Sequence, residues 1–239
     1  MTGRLRVGTS GFAYPAWAPA FYPPGTRPAG LLAAYGARLS ACELSTTYHR
    51  QPSPAVVAAW RAAVPNGFRF TWKLLRSGTR RAYAADPAGT LPWLTGPPAG
   101  LGDRLGAALL RVPAGQARDD DRLDRLLRAW PAGIPLALEL VDPSWHVDET
   151  HARLRKAGVV LVVTETDEAP DPPLTVTGPF LYLRLRRTAY ADADLDAWAA
   201  RIEPFLADGR DAYAFFRHDE RGEAARRALS LAERLRRFA

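Results

Sequence analysis

Short apolar runs alternate with stretches of helical period along nearly the whole chain. RLRVG (4–8), ACELS (41–45), FRFTWK (68–73), GAALLRV (106–112), PLALEL (135–140), VVLVVT (159–164), FLYLRLR (180–186) and DAYAFF (211–216) read as strands. Between them lie helical patterns. PAGLLAAYGARL (28–39) puts Pro28 in a first turn, where its missing N–H costs nothing, and SPAVVAAWRAAV (53–64) has Ser53 as N-cap with Pro54 behind it. DDDRLDRLLRAW (119–130) starts acidic, as the helix dipole favours, and HVDETHARLRKAG (146–158) stops at Gly158. DADLDAWAARIEPFLA and the C-terminal tail complete the set. Residues 77–104 are rich in Pro and Gly and are expected to form a long excursion holding one short helix; EAPDPPLTVTGP is expected to connect two strands without any helix.

Eight strands separated mostly by helices imply parallel pairing. Eight such units in 239 residues predict an α/β protein of the (β/α)8 TIM-like barrel class, a single domain over residues 1–239. An open doubly wound sheet is the alternative, but VGTSGFAYP lacks the glycines and the following helix of a dinucleotide fingerprint.

The composition, 47% hydrophobic and 24% charged, suits a folded domain with a real core. No run approaches the roughly 18 apolar residues of a membrane helix, and no apolar leader precedes the first strand, so a cytoplasmic protein without a membrane partner is expected. A single cysteine excludes an internal disulfide and a cysteine-based zinc site. The net charge of +7 admits nucleic acid or small anions as partners. The arginines, however, are scattered along helices with acidic neighbours, which ranks nucleic acid second to a small anionic ligand. Nothing in the chain specifies an oligomeric state.

A barrel gathers its chemistry at the C-terminal ends of its strands. There the chain carries Ser10, Glu43, Lys73, Arg111, Glu139, Thr164, Glu165, Arg184, Arg186, His218 and Asp219. Glu43 and Glu139 are candidate acid and base, as paired carboxylates are in glycoside hydrolysis. Lys73, beside two carboxylates, is expected to stay charged and to meet an anion or carbonyl rather than form a Schiff base. Arg50, Arg76, Arg184 and Arg186 supply planar forks for a carboxylate or phosphate. The competing reading is structural: Glu43, Lys73, Glu139 and Arg184 form a buried network that neutralises itself. No cofactor is expected. His218, Asp219 and Glu165 are the one set that would hold a single divalent ion, since none of the four histidines has zinc-enzyme spacing. No nucleophile elbow and no phosphate loop of Walker type occur.

The segments GTSGFAYPAW…FYP, CELSTTYHRQPSP, FRFTWKLLRSGT, ELVDPSW and LYLRLR resemble, in order and spacing, the YecE-like family, domain of unknown function 72. The resemblance runs from about Val7 to Asp219. It implies a TIM barrel similar to the xylose isomerase and endonuclease IV type, and it implies no established activity. Gly8, Thr9, Ser10, Gly11, Tyr14, Trp17, Glu43, Thr47, Arg50, Lys73, Arg76, Glu139, Trp145, Arg184 and Asp219 match the family pattern. With the strand-end residues Ser10, His218 and Asp219, the matching positions Tyr14, Thr47 and Trp145 complete the candidate substrate contacts. The chain departs from the pattern elsewhere. Ser45 replaces an Asn, His49 a Tyr, and Thr79-Arg80 a Thr-His pair; Val141-Asp142 stands for Arg-His, Arg186-Arg187 for His-Gly, and Arg217-His218 for Asn-Asn. The central charges stay while the outer ring changes. Three functions are therefore expected: an enzyme acting on a small anionic or sugar-like substrate (a hydrolase or isomerase), a phosphodiester-processing enzyme, or a non-catalytic anion-binding barrel.

Overall fold

The structure, a computed structural model, describes residues 2–84 and 86–238. Residues 1, 85 and 239, which fall in the predicted N-terminal stretch, Pro/Gly-rich excursion and C-terminal helix, lie outside the described residues. Eight parallel strands close into a barrel in sequence order. They are β1 (Leu5–Ser10), β2 (Ala41–Leu44), β3 (Arg69–Lys73), β4 (Leu105–Arg111), β5 (Leu136–Glu139), β6 (Val160–Glu165), β7 (Phe180–Leu185) and β8 (Asp211–Phe216). The helices are α1 (Leu31–Gly36), α2 (Pro54–Ala62), α3 (Arg76–Ala84), α4 (Pro87–Ala99), α5 (Asp120–Ala129), α6 (Asp148–Ala157), α7 (Asp192–Ala207) and α8 (Glu223–Arg234). The predicted barrel and all eight strand runs are therefore present.

Local chemistry explains most boundaries. The Ser53 hydroxyl accepts from the Val56 N–H at 3.4 Å, and Pro54 opens α2. The Asp119 carboxylate accepts from Arg122 N–H at 2.9 Å and starts α5. Gly158 ends α6 in the left-handed region at φ 65°. Between β6 and β7 no helix forms, as expected; instead the Thr177 hydroxyl accepts from Leu161 N–H and donates to Val159 O, both at 2.7 Å. The loop is thus stapled to the strand that it follows.

The excursion before β4 differs from expectation, holding two helices rather than one. The second, α4, runs through Pro92, Pro97 and Pro98. Its first turn is capped by Asp86, which accepts from Gly89 N–H at 2.9 Å, and its Leu91 and Leu94 are wholly buried. Burial of an apolar face outweighs the lost N–H groups there. The predicted helix at 28–39 is shorter, a 3-10 turn leading into the six residues of α1.

Two cores result. A large one lies between strands and helices, and a smaller one fills the barrel with Leu109, Val162, Tyr182, Tyr213 and Phe215 among others. β1 and β2 approach so closely that a Cβ on Gly8 would lie 1.8 Å from the Ala41 carbonyl oxygen. Backbone cannot yield there. Gly8→Ala is accordingly expected to lower unfolding free energy by about 3 kcal/mol or more, measured by urea denaturation; a change near zero would show that the strands separate freely.

Candidate anion site at the barrel mouth

Above the apolar filling, the C-terminal layer of the barrel is polar and cross-linked. Strand alternation points Tyr182 and Arg184 inward from β7, where Arg184 meets carboxylates from β2 and β5. Arg184 Nε donates to Glu43 Oε2 at 2.9 Å and Nη2 to Glu43 Oε1 at 2.8 Å, a bidentate fork. Its Nη1 donates to Glu139 Oε1 at 2.8 Å. Tyr182 adds a hydroxyl to Glu43 Oε2 at 3.0 Å, and Thr164 one to Glu139 Oε1, also at 3.0 Å. Arg111 Nε lies 3.3 Å from Glu139 Oε2. Glu43 is 0% exposed and Arg184 2%.

Burial alone would raise the Glu43 carboxyl, but the grip of Arg184 outweighs it and holds the group below the usual range. Burial likewise opposes ionisation of Glu139, and Arg184 and then Arg111 bring it down to about 2. Both carboxylates are ionised at neutral pH, and Glu43 has both oxygens engaged. The expected four-membered network exists with one member exchanged. Arg111 completes it, and Lys73 does not.

Lys73 stands apart. Among the described residues no carboxylate oxygen lies within 4.0 Å of its Nζ, which sits 4.0 Å over the centre of the Tyr48 ring. Arg186, two residues beyond Arg184, is also half-buried and likewise without an ion pair among the described residues. Burial lowers the Lys73 ammonium, Arg184 lowers it further, and Glu43 and Glu139 oppose this; it settles at about 8. Arg186 is lowered too, first by burial and then by Arg184. Tyr48 in turn lines a cavity of about 260 Å³ together with Arg76, Thr79, Arg80, Arg111, Pro113 and Ala114. The Thr79 hydroxyl is buried there without a partner among the described residues. A larger groove of about 500 Å³ lies outside the barrel between α5 and α6, away from the strand ends, where Asp124 and Arg153 pair with each other at 3.3 Å.

The other predicted contacts divide. Tyr14 is half-buried and stacks on His218, with ring centres 5.0 Å apart, so the two form one aromatic wall. Arg50 and Arg76 are exposed. Ser10 is buried, its hydroxyl 3.3 Å from Phe216 O. The Thr47 hydroxyl lies 2.6 Å from Leu44 O and 2.7 Å from Lys73 O, clasping the ends of β2 and β3. Trp145 is buried and donates to Gln116 O at 2.9 Å. Asp219 accepts from the N–H groups of Arg221, Glu223 and Ala224 and so fixes the start of α8. Ser10, Thr47, Trp145 and Asp219 thus hold the mouth in shape rather than face it. The set His218, Asp219 and Glu165 is not brought together: Asp219 is spent on α8, and Glu165 accepts from the Tyr190 hydroxyl at 2.6 Å. Among the described residues no cluster of three or more His, Cys, Asp or Glu would hold a metal ion.

The sequence model of the family described as "Protein of unknown function DUF72" matches residues 6–239. The chain belongs to the DUF72 family. A DUF72 family protein from Thermotoga maritima has a crystal structure similar to this one, with 25% identity, 98% of this chain and 99% of that chain covered, and a TM-score of 0.83. A second, from Enterococcus faecalis, is 22% identical over 98% of each chain with a TM-score of 0.77, a likeness of fold alone. No curated protein matches the chain. Among the described residues no helix is long and apolar enough to cross a membrane.

Within this DUF72 barrel, sequence reasoning missed Tyr48, Thr79, Arg80 and Tyr182 as mouth residues. Tyr182 had a signal: it shares the alternating face of Arg184 and Arg186 in FLYLRLR. Tyr48 had none, because its position depends on how the chain after β2 folds back, and Thr79-Arg80 stood out only as a departure from the family pattern.

The network makes a prediction about stability. Removing the cation in Arg184→Met leaves two buried carboxylates without their partner and is expected to cost about 3–5 kcal/mol, by chemical denaturation. Glu139 is depressed in the folded state, so its contribution is full above the unfolded value of 4.5 and is lost as pH falls toward about 2. Glu139→Gln should therefore flatten the stability profile between those values; an unchanged acid limb would show that the pair contributes nothing.

Proposed function

We propose that the barrel mouth is a receptor for a small anion, a phosphate- or carboxylate-bearing compound seated between Lys73 and Arg186 with Arg111 beside it. The observation that carries this reading is the pair of half-buried cations without a counter-ion. A cation taken out of water needs compensation. Here the nearby carboxylates are already held by Arg184 and Arg111, so a ligand is the natural source of negative charge. The adjoining cavity of about 260 Å³, with Arg76, Arg80 and Arg111 in its wall, gives the ligand room. That volume falls below the roughly 300–1,000 Å³ of sites for drug-sized molecules. A polymer backbone reaches exposed arginines such as Arg50 and Arg217 more readily than it reaches Lys73, which favours a small ligand over nucleic acid.

In this reading Glu43 and Glu139 act by positioning Arg184. A general acid needs a pKa near the working pH, and Glu139 is held at about 2. Acid–base chemistry from the carboxylate pair is thereby disfavoured, and the non-catalytic functions of the mouth gain weight against it.

Sulfate is the suitable probe, since it does not titrate near neutrality. At a hundredfold excess over Kd it is expected to raise Tm by about 5–10 °C. Lys73→Met and Arg186→Met should each weaken binding by about tenfold or more. Binding should also weaken as pH rises through about 8 and Lys73 loses its proton. Absence of any sulfate effect at low ionic strength, or tight salt-sensitive binding of a short oligonucleotide alone, would overturn the small-anion reading.

A further inference from the structure

The chain holds 32 Lys and Arg residues, and only Lys73 and Lys156 are lysine. Lys156 is exposed on α6. Everywhere else that this protein uses a basic side chain it uses a guanidinium, including at Arg111, Arg184 and Arg186 around the mouth. A guanidinium gives fixed charge and a planar fork, and it is not deprotonated in proteins. Of the two side chains that are cationic at neutral pH, only the primary amine of lysine can give up its proton and attack carbon. Its appearance at the centre of an arginine-lined mouth therefore asks for a chemical reason, because charge alone is met by arginine in this chain.

The expectation that Lys73 stays inert rested on two neighbouring carboxylates. The structure weakens that ground: Glu43 and Glu139 still act on Lys73 through space, but among the described residues no carboxylate pairs with it, and burial and Arg184 outweigh them. The Lys73 Nζ is held over the ring of Tyr48, which itself lines a cavity together with Arg76, Thr79, Arg80, Arg111, Pro113 and Ala114. Through Tyr48 the amine thus adjoins an opening that three arginines line. We infer that Lys73 forms an imine with a small carbonyl compound carrying a phosphate or carboxylate group. This rests on the anion site proposed above, which anchors the ligand's charged end while Lys73 meets its carbonyl carbon.

The step balances without a co-reactant. Neutral Nζ adds to the carbonyl carbon, and the carbonyl oxygen takes up a proton to give a carbinolamine. That hydroxyl leaves as water and the C=N bond forms, protonated. Summed from the ammonium, one carbonyl compound is consumed and one water released, with no electron transferred and the charge on nitrogen unchanged. Arg186 and Arg111 hold the anionic group throughout. The lowered pKa of Lys73, about 8 against 10.5, supports the geometry, since it raises the free-amine fraction at pH 7 by roughly two orders of magnitude.

The test traps the imine by reduction. The intact protein is incubated with glyoxylate plus cyanoborohydride, and separately with pyridoxal 5′-phosphate followed by borohydride, and the labelled peptides are identified by mass spectrometry. With only Lys156 and the N-terminal amine as competitors, the map is unambiguous. Labelling of Lys73 with at least one of the two probes is expected to exceed that of Lys156 by at least about tenfold. Excess sulfate should suppress it, and uncharged pyridoxal should label far less. Lys73→Arg should abolish the label. If Lys73 is labelled no faster than Lys156 by either probe while sulfate still binds, the imine reading falls and the anion site stands. If sulfate does not bind and labelling of Lys73 is insensitive to the probe's charge, both readings fall.

Discussion

The mouth of this barrel depends on one buried guanidinium. Arg184 is held on one side by both oxygens of Glu43 from β2 and on the other by Glu139 from β5. Strands on different sides of the barrel are thereby tied through its axis at the level where the apolar filling ends. A pair of this kind is not retained for stability in general, because well-packed apolar side chains of similar volume often do as well or better. What it does is fix geometry and field. Every carboxylate at the centre is committed, and Arg111 brings the balance of this group to two positive and two negative charges.

That closure has a consequence for the residues around it. Once Glu43 and Glu139 are spent, Lys73 and Arg186 are surplus charges, and each is destabilised by burial and by the Arg184 cation nearby. The network engages both oxygens of Glu43 and one of Glu139, whose Oε2 meets only Arg111 at 3.3 Å, and it leaves the next shell short of negative charge. That shortage of negative charge is the feature on which the proposed anion site rests.

Much of this was legible in the sequence. The alternation of short apolar runs with helical stretches sets the barrel, and a charged residue at or one position before the end of each of β2, β3, β5 and β7 sets the mouth, because strand ends are where a barrel exposes side chains. The partner choice inside the network was not legible. Spacing places Glu43, Lys73, Glu139, Arg111 and Arg184 at similar heights, but reach and fork geometry decide that arginines take both carboxylates. Motif residues misled in one respect. Thr47, Trp145 and Asp219 match the family pattern, yet they bond to backbone groups at the ends of β2 and β3, in a loop and at the start of α8. The run through three prolines in α4 was hidden for a different reason, since its stability comes from leucines buried by tertiary contact.

The departures from the YecE-like pattern then acquire a direction. Arg80, Arg186, Arg187 and Arg217 all stand where that pattern has neutral or weakly basic residues, whereas after β5 an Arg-His pair gives way to Val141-Asp142. Positive charge has moved toward the β3, β7 and β8 side of the mouth and away from β5. Arg187 is then tied down by Asp194 at 3.1 Å, and Arg80 joins the wall of the cavity beside Tyr48. The core of Glu43, Glu139 and Arg184 holds its geometry regardless, because its hydrogen bonds come from within. A mouth built this way separates two tasks. On the proposed reading the inner network and Lys73 would act on a ligand and the outer arginines would select it, and the outer ring differs from the family pattern without touching the central bonds.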